Sequence, residues 1–339
     1  MTDFRPQPTP EQAQALEVFR SHESFLLAAH VRPDGDCLGS QAAMARVLQA
    51  MGKKVVVLNP DPPDPEFLAM TACADFREYK GGPIPQHDVC VLLDINDLSR
   101  CGDLAEPLRA APSTKVVVDH HPFEGTPWWD ASFVDISASA TGLLVHRIAA
   151  ALGVEIDAQA ALAIFVSLVT DTGWFRYSNT DAETMAVASE LVDAGVRPAE
   201  VFSMLYQQNH SNEPQALGNV LQRVQYHADR RLAVLDLPLS NGGLRDSDTM
   251  LDIVRAVADV EVVLFVKELE PGLCKLSARS KSFYDVNALA RKFGGGGHVR
   301  ASGATIRGEL EEVRGALVEK ALEGFAELDR AEASVGGVR

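Results

Sequence analysis

Apolar residues in the first half of the chain fall into short unbroken runs, and each run stops at a charged or imidazole side chain. The run over 24–29 leads into His30, Val-Cys-Val-Leu-Leu over 89–93 into Asp94, and three valines over 116–118 into Asp119, His120 and His121. Runs of this kind predict strands buried on both faces, as in a parallel sheet covered by helices. Between them, Ala43, Val47, Leu48 and Met51 recur at helical spacing, which predicts a helix over 39–51 closing at Gly52 and followed by a strand over 55–58. A helical run over 160–170 ends at Asp171. Thr180 and Glu183 have the spacing of a capping box for a helix stopping near Gly195, and Pro198 starts another.

The pattern changes after residue 208. A polar stretch over 209–231 carries the stripe Leu217, Val220, Leu221 and Val224, which predicts a connecting helix. Beyond it the pattern predicts strand 232–237, helix 247–257, strands 262–267 and 273–279, helix 286–292, a glycine run, strand 301–306 and a terminal helix over 310–328, with a frayed tail over 334–339. The expected architecture is α/β: a larger parallel-sheet domain over 12–207, a helical linker over 208–230, and a smaller mixed α/β domain over 231–330.

Composition changes this picture little, but it narrows function. With 46% hydrophobic and 23% charged residues in 339, the chain has the makeup of a globular protein with room for two cores. No apolar run approaches the ~20 residues of a membrane span, and the first ten residues lack the basic-then-apolar order of a signal peptide, so the expectation is a cytoplasmic protein with no membrane partner. Cys37, Cys73, Cys90, Cys101 and Cys274 form no CxxC pair, which disfavours disulfides and a thiolate zinc site. A net charge of -16 disfavours a protein that coats long nucleic acid. It leaves room for a small anion held by local cations. Between 271 and 307, seven basic residues face one acid.

Chemistry concentrates at the strand ends. In the stretch HVRPDGDCLGS, His30, Asp34 and Asp36 sit together on what reads as one loop. Two carboxylates so close raise one another's pKa unless a cation, a proton or water relieves them. With Asp94, Asp119, His120, His121 and Asp171 they make an oxygen-and-imidazole set that suits a hard or borderline divalent cation, Mn²⁺ most naturally, with Mg²⁺, Co²⁺, Zn²⁺ and Fe²⁺ as alternatives. Six or more ligands exceed the need of one ion. Each piece alone reads equally as a polar turn or a helix cap; four element ends supplying the same chemistry favour one composite site at the carboxyl edge of the sheet.

The order HVRPDGDCLGS, VLLDIND, VVDHHP and VTDTGWF resembles the four motifs of the DHH phosphoesterase superfamily, and FGGGGHVRASG over 293–303 resembles the signature of its DHHA1 domain. The pairing and length are most similar to the NrnA-type nanoRNase/pAp-phosphatase group. The resemblance implies two ions, one on His30, Asp34 and Asp94, the other on Asp36, Asp94, His120 and Asp171. It implies that Asp119 orients the histidine pair and that His121 faces the scissile phosphate. In the second domain it implies substrate contacts from Arg279, Ser280, Lys281, Gly295, Gly296, Gly297, His298, Arg300 and Ser302. The expected substrates are RNAs of two to five nucleotides and nucleotide bisphosphates, held in a cleft by a homodimeric enzyme. Cleavage of cyclic or linear dinucleotides in signalling is the alternative, and a non-catalytic nucleotide sensor is the alternative of another class.

Several residues keep two readings. The glycine run either brings backbone amides close to a phosphate or forms a tight turn. Arg32 and Arg100 reach a phosphate or pair with nearby acids. Trp174, Phe175 and Tyr177 stack on a base or pack. Cys37 reads as packing.

Overall fold

The computed structural model describes residues 6–208, 210–239 and 248–336. The chain divides into two compact units between residues 208 and 209.

In the first unit, helix α1 (Pro10–Ser21) precedes β1 (Ser24–Ala28), α2 (Gly35–Ala50), β2 (Lys54–Asn59), the short α3 (Leu68–Thr71), β3 (Phe76–Glu78), β4 (Val89–Leu93), α4 (Ala105–Ala110), β5 (Thr114–Asp119) and β6 (Ala131–Val134). Helices α5 (Thr141–Leu152), α6 (Ala158–Asp171), α7 (Ala182–Asp193) and α8 (Pro198–Tyr206) complete it. The six strands form one sheet in the order β3-β2-β1-β4-β5-β6, parallel throughout. Its faces are covered by two apolar clusters, one built with α1, α2, α5, α6 and α7, the other with the segment 95–108. Burial on both sides is why β1, β4 and β5 read as continuous apolar runs. The chain reverses direction across the sheet between β1 and β4. At such a switch point the carboxyl ends of the two strands open a crevice, and His30 and Asp94 follow directly there.

The second unit holds α9 (Glu213–Leu221), β7 (Gln225–His227), β8 (Leu232–Leu237), α10 (Asp248–Arg255), β9 (Val262–Glu270), β10 (Leu273–Ser280), α11 (Val286–Arg291), β11 (Gly296–His298), β12 (Ala301–Arg307) and α12 (Leu310–Gly336). The sheet order is β11-β12-β10-β9-β8-β7, with β8 and β9 parallel and the other neighbours antiparallel. Apolar residues of α11 and α12 pack on one face and those of α9 and α10 on the other.

Local chemistry moves several expected boundaries. Helix α2 starts at Gly35 rather than 39, because Asp34 caps it by accepting from the amides of Asp36 and Cys37 at 3.1 and 3.0 Å. Asp36 therefore lies in the first turn of a helix and not on a loop. The cap of α7 is Asp181, which accepts from Thr184 N, while Glu183 turns away to Arg147; Thr180 and Glu183 form no capping box. The stripe at Leu217, Val220, Leu221 and Val224 packs into the second unit's own core. Helix α12 continues to Gly336, eight residues beyond expectation, and 337–339 lie outside the described residues, as does Ser247 at the expected start of α10. No described helix is long and apolar enough to cross a membrane.

Candidate metal centre

The ends of β1, β4, β5 and α6 and the start of α2 bring together all eight acids and histidines singled out in the first half. His30 Nε2 lies 3.4 Å from Asp94 Oδ2. His120 Nε2 lies 3.6 Å from Asp36 Oδ2, 3.6 Å from Asp94 Oδ1 and 3.5 Å from Asp171 Oδ2. Among the ligand groupings that result are His30 with Asp34 and Asp94, and Asp36 with Asp94 and His120, each with donor atoms within 4.8 Å of one another; Asp94, Asp119 and His121 form another. Asp94 belongs to all three.

Electrostatics at this crevice are strongly unfavourable for so many carboxylates. Burial, and then the charges of Asp94 and Asp171, push the Asp36 carboxyl well above its ordinary range. Burial and the charges of Asp94 and Asp34 do the same to Asp171. Asp171 also ends α6, where the helix dipole disfavours an anion. For Asp94, burial is outweighed by the His30, His121 and His120 imidazoles, which hold its carboxyl below the usual range. Asp94 further adopts a left-handed backbone with φ of 62°, a conformation uncommon outside glycine that clusters at functional sites. A divalent cation would relieve the repulsion among Asp36, Asp94 and Asp171.

The donor atoms are oriented for such a cation. His30 Nδ1 donates to Val31 O at 2.9 Å and His120 Nδ1 to Ala138 O at 3.0 Å, so in the neutral form of each ring it is Nε2 that offers a lone pair. His30 Nε2 is buried and faces Asp94 Oδ2. The ring nitrogens and carboxylate oxygens, without a thiolate, fit Mn²⁺ or a similar ion. Asp119, fully buried, accepts from His120 N and from His121 Nδ1, both at 2.8 Å. Burial opposes charge on His121, but this bond and the charge of Asp94 raise its pKa to about 9.

The supporting contacts were not visible in the sequence. Asp36 accepts from the amides of Thr141 and Gly142 at 2.8 and 3.2 Å, at the start of α5, and from Ser167 Oγ at 2.5 Å. Thr141 Oγ1 donates to Asp94 Oδ1 at 3.1 Å, and Asn96 Nδ2 donates to the His121 carbonyl at 3.1 Å. The one available signal is the run of small residues over 137–142 after a strand, which permits close approach of backbone to site.

Residues with two readings separate. Trp174 packs edge-on against Phe165 and Phe202, and Phe175 against Phe165. Burial and the surrounding acids keep the Cys37 thiol protonated, as packing requires. The Arg32 amide donates to Asp61 at 2.6 Å. Arg100 is exposed and near enough to His30 and His121 to oppose their protonation.

In the second unit the glycine run is neither open loop nor simple turn: Gly296–His298 is an edge strand paired with Ala301–Ser302–Gly303. Only Gly294 and Gly297 in the run take positive φ, 73° and 141°. Gly295 is required instead by proximity, since a Cβ there would lie 2.1 Å from Gly303 O. Arg279 and His298 are both register partners of Ala301 and so stand on one sheet face with that small residue between them. The next row, Ser277, Gly303 and Gly296, is also small. Ser280 and Ser302 point to the opposite, buried face. The Lys281 ammonium donates to the carbonyls of Val257 and Ala258 just beyond α10, at 2.5 and 3.2 Å, and Arg300 donates to Tyr284 O at 2.9 Å. Both cations thus have structural work.

A parallel sheet with carboxylates and imidazoles gathered at its switch point is the architecture of the DHH proteins. The family model "DHH family, N-terminal domain" matches residues 24–168, and that of the DHHA1 domain matches 239–327. The bifunctional oligoribonuclease and PAP phosphatase NrnA of Thermus thermophilus is 34% identical, covering 93% of this chain and 94% of that protein. The Bacillus subtilis protein of the same name is 26% identical over 87% of this chain and 93% of its own. Among solved structures, an exopolyphosphatase-related protein from Bacteroides fragilis superposes with a TM-score of 0.86 at 25% identity, over 97% of this chain and 99% of that one. RecJ from Thermus thermophilus, at 16% identity and a TM-score of 0.56 over 93% of this chain and 54% of its own, shares the fold. The chain belongs to the DHH–DHHA1 family, in the group of the NrnA proteins.

Proposed function

We propose that the protein is a two-metal phosphoesterase that hydrolyses RNAs of two to five nucleotides to mononucleotides and removes the 3′-phosphate of 3′-phosphoadenosine 5′-phosphate. The observation that carries this reading is Asp94, one carboxylate shared by two ligand clusters. His30, Asp34 and Asp94 would hold one ion, and Asp36, Asp94, His120 and Asp171 the other, with Mn²⁺ the preferred metal. Two divalent ions so held acidify water and neutralise phosphate oxygens, the chemistry of an in-line phosphoryl displacement. The names of the Thermus and Bacillus relatives support the substrate class.

The chain's own residues do the rest. His121, with Nδ1 engaged by Asp119, turns Nε2 toward a substrate phosphate and donates a proton to its developing charge. Asp119 fixes the ring and keeps it charged. Arg279 and His298, either side of Ala301, form an anion subsite for the remainder of the substrate, with Gly296 and Gly303 leaving room for it. Gly295 and Gly297 maintain that hairpin, while Lys281, Arg300, Ser280 and Ser302 shape it from behind. The five cysteines are free, which fits a reducing cytoplasm; a homodimer is the assembly that the family resemblance implies.

The test is kcat/KM measured side by side with Mn²⁺ on dinucleotide RNA, a 20-nucleotide RNA, 3′-phosphoadenosine 5′-phosphate, a cyclic dinucleotide and pyrophosphate. The expected order places dinucleotide RNA and the bisphosphate first. Equal turnover of the dinucleotide and the 20-mer overturns the length preference, and a preference for the cyclic dinucleotide moves the enzyme to signalling.

A further inference from the structure

Behind the Asp36–His120 cluster lies a buried ion group with no part in the chemistry above. Arg147 on α5 is 7% exposed. It makes a two-pronged contact with Glu183 on α7, at 2.7 and 2.6 Å, and a third contact with Asp135 at 2.7 Å. Asp135 in turn accepts from Ser137 N and Ser137 Oγ and closes a turn through Ala138 N to its own carbonyl at 3.1 Å. Two further contacts hold the same strap. The hydroxyls of Thr184 and Ser139 are 2.8 Å apart, and Asn179 Nδ2 donates to both Ser139 O and Asp171 O, at 3.0 and 3.1 Å.

What the strap over 135–142 delivers to the site falls on Asp36 and His120 and on the shared Asp94. Ala138 O receives His120 Nδ1–H, the amides of Thr141 and Gly142 reach Asp36, and Thr141 Oγ1 reaches Asp94. His30 instead leans on Val31 O, and Asp34 on the amides of its own helix. We infer that Arg147, with Asp135 and Glu183, is a positioning residue for the ion held by Asp36 and His120, acting through the strap and bearing on the His30–Asp34 ion only through the shared Asp94. This rests on the two-metal reading above. A buried ion group is weak evidence for stability as such, since the cost of desolvating the charges offsets their attraction. Holding the Ala138 carbonyl on the His120 ring is a task that its geometry performs.

The experiment is calorimetric titration of Mn²⁺ into the unloaded protein, for wild type, Arg147→Met, Arg147→Lys and Thr184→Val. Thr184→Val keeps every charge and loosens the strap at Ser139, so it reads the inference even where Arg147→Met fails to fold. The expected result is two ion sites in wild type, with one of them weakened about tenfold to a hundredfold in the variants, the range found when outer contacts of a metal-bound histidine are removed. Arg147→Lys recovers part of that loss. Excess Mn²⁺ restores kcat. Equal weakening of both sites, or unchanged affinities beside a lowered melting temperature, overturns the inference and leaves Arg147 a structural tie. A wild type that binds no Mn²⁺ overturns the two-metal reading itself.

Discussion

Asp94→Asn separates a shared metal ligand from an ordinary buried carboxylate. The substitution keeps shape and one acceptor oxygen but removes the charge common to both clusters. Because donor atoms in each cluster lie within 4.8 Å of one another, a unit charge within a cluster is worth about 3.5 kcal/mol to Asp94 at an effective dielectric near 20. Loss of that charge predicts metal affinity at each site reduced by at least about two orders of magnitude, since ~1.4 kcal/mol is tenfold. Without metal two effects oppose: Asp94 raises the carboxyl pKa of both Asp36 and Asp171, while the His30, His121 and His120 imidazoles favour its own charge, so the diagnostic quantity is the rise with metal and not the starting melting temperature. Ligand binding raises stability by RT ln(1 + [L]/Kd), about 2.7 kcal/mol at a hundredfold excess over Kd. Melting temperature against Mn²⁺ concentration is therefore the assay: wild type climbs, the variant stays flat over the same range, and activity disappears with the shift. A variant that still climbs like wild type and turns over substrate would refute the shared-ligand assignment.

The remaining predictions concern the second unit. Glu261 is 5% exposed and accepts from the amides of Ser282, Phe283 and Tyr284 and from Ser282 Oγ; burial works against its charge, but these donors hold its carboxyl below the usual range. A lowered folded value means stabilisation that is present above the unfolded carboxyl's pKa and lost as pH falls through the folded one. Glu261→Gln is expected to cost about 2–3 kcal/mol at pH 7, the scale of hydrogen bonds to a charged group, with the difference in urea midpoint shrinking as pH falls below about 4; a pH-independent difference would assign the effect to packing. Gly295→Ala and Gly296→Ala form a contrasting pair, because a Cβ at 295 meets Gly303 O at 2.1 Å whereas one at 296 meets only Asn287 Oδ1 at 3.9 Å. The first should lower stability by about 1–3 kcal/mol through overpacking, and the second should leave the melting temperature unchanged while raising KM for dinucleotide RNA. Equal destabilisation by both would contradict the close-approach account of the run.

How much of this was legible depended on whether the cause of each feature was local. The strands ending at Ala28, Leu93 and Asp119 were legible because sheet burial on both faces writes itself as an apolar run, and the acids and histidines at their ends stood out against that background. The start of α2 was misplaced for a reason visible only in three dimensions. Gly35 and Asp36 are poor helix formers, yet Gly35 is demanded there by Thr170, whose Cγ2 would lie 2.4 Å from any Cβ. Helix α5 went unseen because Ala140 offers no side-chain cap; the amides of Thr141 and Gly142 are satisfied by Asp36, over a hundred positions earlier. The same carboxylate therefore caps one helix from another, and its role as a candidate ligand was readable while its role as a cap was not. Lys281 shows the reverse case. A basic residue beside a serine reads as a phosphate contact, but its ammonium closes the carbonyls after α10, a partner that no spacing within its own segment reveals. Charge and motif order locate a site of this kind, and the contacts that fix its ligands in place come from elsewhere in the chain, where only packing can bring them.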